Sequence, residues 1–184
     1  MLESYIRSRL AEKQILLMTH IVIGYPSLEA SYEIVRTMVE AGVDLMELQI
    51  PFSEPIADGP VILRANQESL ANGVTVDECF EFAEKVTKTF DIPFLFMTYY
   101  NIVFKYGEER FFAKAKEAGI EGLIIPDLPI EMGADFYTQA EKTGVEPIQL
   151  YAPTTTSKRM SKLSSYASGF IYCVARRGVT GKKS

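Results

Sequence analysis

Residues 21–31 read IVIGYPSLEAS, and this short passage separates two architectures. It leaves the apolar run ILLMTHIVI (15–23), passes one glycine, and enters SLEASYEIVRTMVEAG. The second segment opens at Ser27, a residue suited to an N-cap, and places Ile34, Val35, Met38 and Val39 on one stripe before stopping at Gly42. This is a strand followed closely by a helix. A doubly wound dinucleotide-binding domain needs a glycine-rich turn after its first strand, to let a pyrophosphate approach the backbone. Here Gly24 is followed by Tyr25 and Pro26, so the other parallel architecture, a (β/α) barrel, is preferred.

The strand–helix alternation continues outward from that point. After a polar first helix over roughly residues 3–13, β-type runs recur as DLMELQI (44–50), FLFMTYY (94–100), GLIIPD (122–127), PIQLYA (147–152) and FIYCVAR (170–176). They are almost continuously apolar, as strands buried on both faces of a parallel sheet must be. The intervening helical segments have readable ends. Thr75 and Glu78 form a capping box that opens TVDECFEFAEKV, while GEERFFAKAKEAG, IEMGADFYTQAEKTG and TSKRMSKLSSYASG each finish on glycine. Polar residues gather at the C-terminal ends of the strands: Glu47, then Thr98, Tyr99 and Asn101, then Asp127, then residues 153–156, then residues 176–180. In a barrel those ends meet on one face, where such enzymes carry their chemistry.

The 184 residues suit one well-buried domain, at 47% hydrophobic and 23% charged. No apolar run approaches the ~20 residues of a membrane helix, and the opening MLESYIRSRLAEKQ has charges where a signal peptide would be apolar, so a cytoplasmic protein with no membrane partner is expected. A formal charge of −5, without clusters of lysine and arginine, argues against nucleic acid as a partner. A single phosphate remains compatible, because loop amides and helix N-termini hold one without net positive charge. Cys79 and Cys173 have no metal-type spacing and read as two buried thiols.

Residues 46–60, MELQIPFSEPIADGP, set Glu47, Glu54 and Asp58 among apolar residues and three prolines. Pro51, Pro55 and Pro60 each remove a backbone donor and resist a helix, so the carboxylates do not form a solvated helical face. ELQIPFSEPIADGP closely resembles the ELGIPFSDPxADGP segment of the tryptophan synthase alpha subunit family. GYPSLEAS, MTYYNIVFKYG, IIPDLPIEM, YAPTTTSKR and ARRGVTG resemble the same family in order and spacing, over nearly the whole chain.

The resemblance implies a TIM (β/α)8 barrel that cleaves indole-3-glycerol phosphate to indole and glyceraldehyde 3-phosphate. It implies no cofactor in this subunit, with pyridoxal phosphate only in a beta subunit that joins it in an αββα heterotetramer. Such a cleavage needs an acid to protonate the ring carbon, a base for the glycerol hydroxyl, and a partner for the indole N–H. By resemblance Glu47 is the acid and base, and Asp58 binds the ring nitrogen. Read without the resemblance, Glu47 caps a strand and Asp58 holds an Asx-type turn. Tyr172 and Thr180 match positions that orient the glutamate and close the loop after strand six. His20, Met97, Tyr99, Ile125 and Leu150 match the substrate pocket, and Gly181 matches a phosphate-loop glycine. Pro51, Glu54, Asn101 and Pro129 match the face toward the beta subunit.

Three positions depart from the family. Gln49 stands where glycine is usual; it either shares the face of Glu47 and bonds to that carboxylate, or turns outward toward the partner. Glu54 replaces an aspartate that faces the beta subunit. His20, the one histidine, takes a place usually aromatic or apolar, and a lone strand histidine reads first as a hydrogen-bonded core group. The family also continues through two further strand–helix units, so residues 1–184 are expected to be a single barrel domain carrying about six of eight strands, ending in the loop after strand six. Little lyase activity is expected of that segment by itself. Two alternatives stay open beside the lyase: a weakly catalytic homologue that regulates a beta subunit, and a stand-alone lyase that releases indole.

Overall fold

A computed structural model describes residues 2–175 of the chain. Its strands are β1 (Met18–Val22), β2 (Leu45–Gln49), β3 (Phe94–Met97), β4 (Gly122–Ile124), β5 (Glu146–Tyr151) and β6 (Ile171–Cys173). The helices are α1 (Leu2–Leu10), α2 (Leu28–Glu40), α3 (Pro60–Ala71), α4 (Val76–Thr89), α5 (Tyr100–Tyr106), α6 (Glu108–Glu117), α7 (Ala134–Thr143) and α8 (Ser157–Ser164). All strand pairs are parallel and follow chain order, β1-β2-β3-β4-β5-β6, as in the wall of a (β/α) barrel.

Period-two alternation divides the strand side chains between two clusters. Leu45, Leu95, Met97, Ile124 and Ile148 face the barrel interior, where Leu2, Met18, Leu150 and Tyr172 join them. Met46, Leu48, Phe94, Phe96 and Leu123 face the helices and pack against Val35, Phe80, Ala83, Phe111 and Phe136. The N-terminal end of the sheet is closed by α1. Leu2 is fully buried and its amide donates to Glu146 Oε1 at 2.8 Å, while Lys13 and Arg9 reach the buried Asp44 at 2.6 and 3.2 Å.

The caps form as the sequence expects: the Ser27 hydroxyl accepts the Ala30 amide, and the Thr75–Glu78 box is reciprocal. Gly24 is required by close approach as well as by its φ of +81°, since a Cβ there would lie 2.5 Å from Val74 and 2.7 Å from the Ser69 hydroxyl.

Four expectations need correction. Pro60 does not resist a helix; it starts α3 at N1, where the missing N–H is one that no helix bonds and the fixed φ is already helical. The run FLFMTYY stops being strand at Met97, because the Tyr100 amide donates to Asp127 Oδ1 at 2.9 Å and opens α5. Cys79 is buried in α4, but Cys173 is exposed: it alternates outward from Tyr172 on β6, where no described helix covers it. Ile125 belongs to the helix-facing cluster, and so cannot line a cavity on the other face of the sheet.

Candidate active site

Strands β1, β2, β3, β4, β5 and β6 enclose a cleft of about 430 Å³, with the loop after β2 forming one wall. Its polar lining is Thr19 and His20 from β1, Glu47 and Gln49 from β2, Asp58 from the loop, and Tyr172 from β6. Met97, Ile124, Pro126 and Leu150 are among the apolar residues that line it.

Glu47 sits within β2, opposite His20 on one side and Leu95 on the other, and is 6% exposed. Burial raises its carboxyl to about 7, because the charged form loses its water. Tyr172 is near enough that the charge of Glu47 adds to burial in raising the phenol.

Asp58 is placed by a loop that folds back on the barrel. Phe52 stacks on Tyr99 with ring centroids 5.1 Å apart, and the Tyr99 hydroxyl accepts the Ala57 amide at 3.1 Å. The Asp58 amide donates to the Pro55 carbonyl at 3.1 Å, closing a turn. The turn reading and the cleft position of Asp58 therefore coexist. From the opposite side the Gln49 amide nitrogen donates to Asp58 Oδ2 at 2.7 Å, and Asn66 Nδ2 approaches the same oxygen at 3.4 Å. Asn66 also accepts the Phe52 amide at 2.8 Å, tying α3 to the loop.

Gln49 matches neither expectation held for it. The side chain points into the cleft and is fully buried, but it engages Asp58 and, through Oε1, His20 Nε2 at 2.7 Å; no hydrogen bond to it contributes to the raised Glu47 carboxyl. His20 is hydrogen-bonded, as a lone strand histidine suggests, and still lines the cleft.

The structure thus brings Glu47, Asp58, Tyr172, His20, Met97 and Leu150 around one space. Tyr99 lies behind the loop, 1% exposed, supporting Asp58 from beneath. Ile125 is on the far side of β4, and Ile124 and Pro126 occupy the wall it was expected to form. Thr180 and Gly181 lie outside the described residues. Of the residues matched to a partner face, Glu54, Asn101 and Pro129 are exposed after β2, β3 and β4, whereas Pro51 is buried under a groove that Asn101 also borders. Asn66 was not anticipated. Its signal was Ile62, Asn66 and Ser69 at helical spacing, a stripe in which two polar residues turn out to be buried. Among the described residues no group of three or more His, Cys, Asp or Glu is arranged to hold a metal, and no helix is long and apolar enough to cross a membrane.

Comparison with known proteins places this geometry among relatives. Residues 6–184 match the family model described as tryptophan synthase alpha chain. The chain is 65% identical to the tryptophan synthase alpha chain of Syntrophotalea carbinolica over 181 residues, covering 98% of this chain and 72% of that one. It is 63% identical to that of Desulfotalea psychrophila over 183 residues, covering 100% and 72%. Among solved structures, Mycobacterium tuberculosis tryptophan synthase superposes with a TM-score of 0.93 at 32% identity, covering 100% of this chain and 71% of that one.

Proposed function

Because the chain belongs to the tryptophan synthase alpha chain family, we propose that Glu47 and Asp58 carry out its reaction, the cleavage of indole-3-glycerol phosphate to indole and glyceraldehyde 3-phosphate. The observation that carries the assignment is the contrast between the two carboxylates of one cleft. Burial lifts Glu47 to about 7, so it is available both protonated and ionised near neutral pH. Asp58 is a hydrogen-bond acceptor fixed by Gln49 and Asn66.

In this reading protonated Glu47 donates to the ring carbon that bears the glycerol chain, and positive charge develops at the ring nitrogen. Asp58 accepts the ring N–H and stabilises that charge. A base then takes the proton of the glycerol hydroxyl next to the ring; its electron pair forms the aldehyde as the carbon–carbon bond breaks, and the bond electrons restore the aromatic ring. Glu47, ionised by the first step, is the base. Tyr172, which lines the same cleft as Glu47, is assigned to orient it, and Met97, Ile124 and Leu150 offer apolar surface to the indole. His20 borders the same substrate space.

The reading extends to the rest of the protein. Residues 1–184 belong to a single barrel domain and carry about six of its eight strands, with Thr180 and Gly181 assigned to loop closure and the phosphate. Glu54, Asn101 and Pro129, with Pro51 beneath them, face a beta subunit that holds the pyridoxal phosphate, in an αββα assembly in the cytoplasm. This subunit needs no cofactor of its own. Indole release by Glu47→Gln and Asp58→Ala variants of the complete protein tests the roles: both should fall ~10² or more with the fold retained. Near-normal turnover in a folded variant removes that residue from the mechanism.

A further inference from the structure

A carboxylate oxygen, a carboxamide and an imidazole are joined in series across the cleft, from Asp58 through Gln49 to His20, by two contacts of 2.7 Å each. The direction of the series follows from chemistry alone. An ionised carboxylate only accepts, so the group Gln49 turns toward Asp58 is its NH₂. Its carbonyl oxygen is then left facing His20, and a carbonyl also only accepts. His20 Nε2 must therefore carry a hydrogen. Burial lowers the imidazole pKa, with the bond to Gln49 and the charge of Asp58 offsetting part of that, so the neutral ring has its hydrogen on Nε2 and a bare Nδ1.

Gln49 has no freedom to reverse this arrangement. It is fully buried, and turning its amide would set a carbonyl oxygen 2.7 Å from a carboxylate, while His20 would have to move its hydrogen to Nδ1 to accept the NH₂. The first contact would leave like partial charges together without water to separate them. Asp58 needs such support, because its backbone lies in a loop whereas Gln49 and His20 stand on paired strands.

We propose that Gln49 is a positioning residue for the lyase reaction: its side-chain amide, oriented by His20, holds the Asp58 carboxylate at the angle from which it receives the ring N–H of the substrate. The proposal rests on the assignment of Asp58 given above. The pair on β1 and β2 is thus a rigid bracket for a catalytic group that the chain places on a flexible kind of element. Its effect is greatest where positive charge develops on the ring nitrogen, so loss of the bracket lowers kcat more than it raises KM.

His20 is the only histidine in the chain, so nitrogen NMR of a histidine-labelled protein reads one ring. At pH 7.5 the wild type should show the Nε2–H tautomer, and Gln49→Met should release the ring to a mixture of tautomers. In the same samples Gln49→Met should lower kcat for indole release about 10-fold with KM changed less than about 2-fold. Introduced into Asp58→Ala, it should cause no further loss, because the group it positions is gone. His20→Phe, which keeps an aromatic ring but removes the donor, should show a smaller kcat loss of the same kind, and serves if Gln49→Met does not fold.

An Nδ1–H tautomer in the wild type overturns the proposal. So does wild-type kcat in folded Gln49→Met and His20→Phe, or an undiminished Gln49→Met loss in the Asp58→Ala background. If Asp58→Ala itself turns over normally, the assignment of Asp58 fails instead, a result read from that variant alone.

Discussion

His20 is paired in register with Glu47 across β1 and β2, yet its Nε2 bonds to Gln49, two residues further along the same strand. The long amide beside the buried Glu47 carboxyl is thereby committed to other groups. Glu47 keeps the full effect of burial, with no amide bond to hold its charged form.

One consequence concerns Gln49→Gly. Were the amide bonded to Glu47, removing it would raise turnover and move the limb of the pH profile due to Glu47 upward. With the amide on Asp58 and His20, turnover should fall and that limb should stay within about 0.3 units, since a hydrogen bond that is absent cannot be lost. Indole release measured from pH 5.5 to 9 distinguishes these, and a faster variant contradicts the geometry.

Glu47 also links stability to pH. Its folded pKa of about 7 lies above the ordinary value of 4.5, so the folded state binds the proton more tightly than the unfolded chain. The favourable contribution is complete below pH 4.5 and is lost as pH rises through 7. Glu47→Gln, which cannot ionise, should therefore gain on the wild type as pH rises, by on the order of 2–3 kcal/mol at pH 8.5 relative to pH 4.5. Urea unfolding at the two pH values measures it. An unchanged difference between variant and wild type would mean the carboxyl is not buried as described.

At the other end of the barrel Asp44 has the opposite sign. Burial alone would raise its pKa, but the bonds from Lys13, the Leu17 amide and Arg9 outweigh it and hold the carboxyl below its ordinary value. The stability this brings is present above the unfolded pKa and lost as pH falls through the folded one. Asp44→Ala should cost about 2 kcal/mol at pH 7, from charged hydrogen bonds lost to α1 and its following turn, and less at pH 3. Equal losses at both pH values would show that packing alone ties α1 to the sheet.

Two glycines with similar φ separate strain from crowding. Gly42 has φ +91° and open space around an added Cβ; Gly24 has φ +81° and atoms at 2.5 and 2.7 Å. Gly42→Ala should cost about 1–2 kcal/mol, the left-handed penalty, and Gly24→Ala about 2–4 kcal/mol, since overpacking is added. Thermal unfolding compares them, and equal losses would mean that Ser69 and Val74 move aside at no cost.

Much of this was legible in the sequence because the relevant forces are local. Buried parallel strands are apolar throughout, and Ser27, Thr75 and Glu78 announce helix starts through bonds within four residues. The same apolar continuity hides which face a residue takes: Ile124 and Ile125 differ only in parity, and nothing in GLIIPD says which one turns inward. The start of α3 was masked by three prolines read as breakers. The partners of Gln49 depend on how residues 51–59 fold back over β3, a tertiary arrangement made by Phe52, Tyr99 and Asn66 together. The carboxylates were visible as residues, and the frame that holds one of them was not.

Between Glu47 and Gln49 lies Leu48, fully buried on the helix side of β2. A slip of one residue in that strand would send Leu48 into the cleft and two polar side chains into the apolar layer. Misaligned molecules would lose chemistry and cohesion together, so selection against unstable forms also screens out inactive ones. An insertion or deletion within β2 would forfeit both at once, and the strand acts as its own quality control.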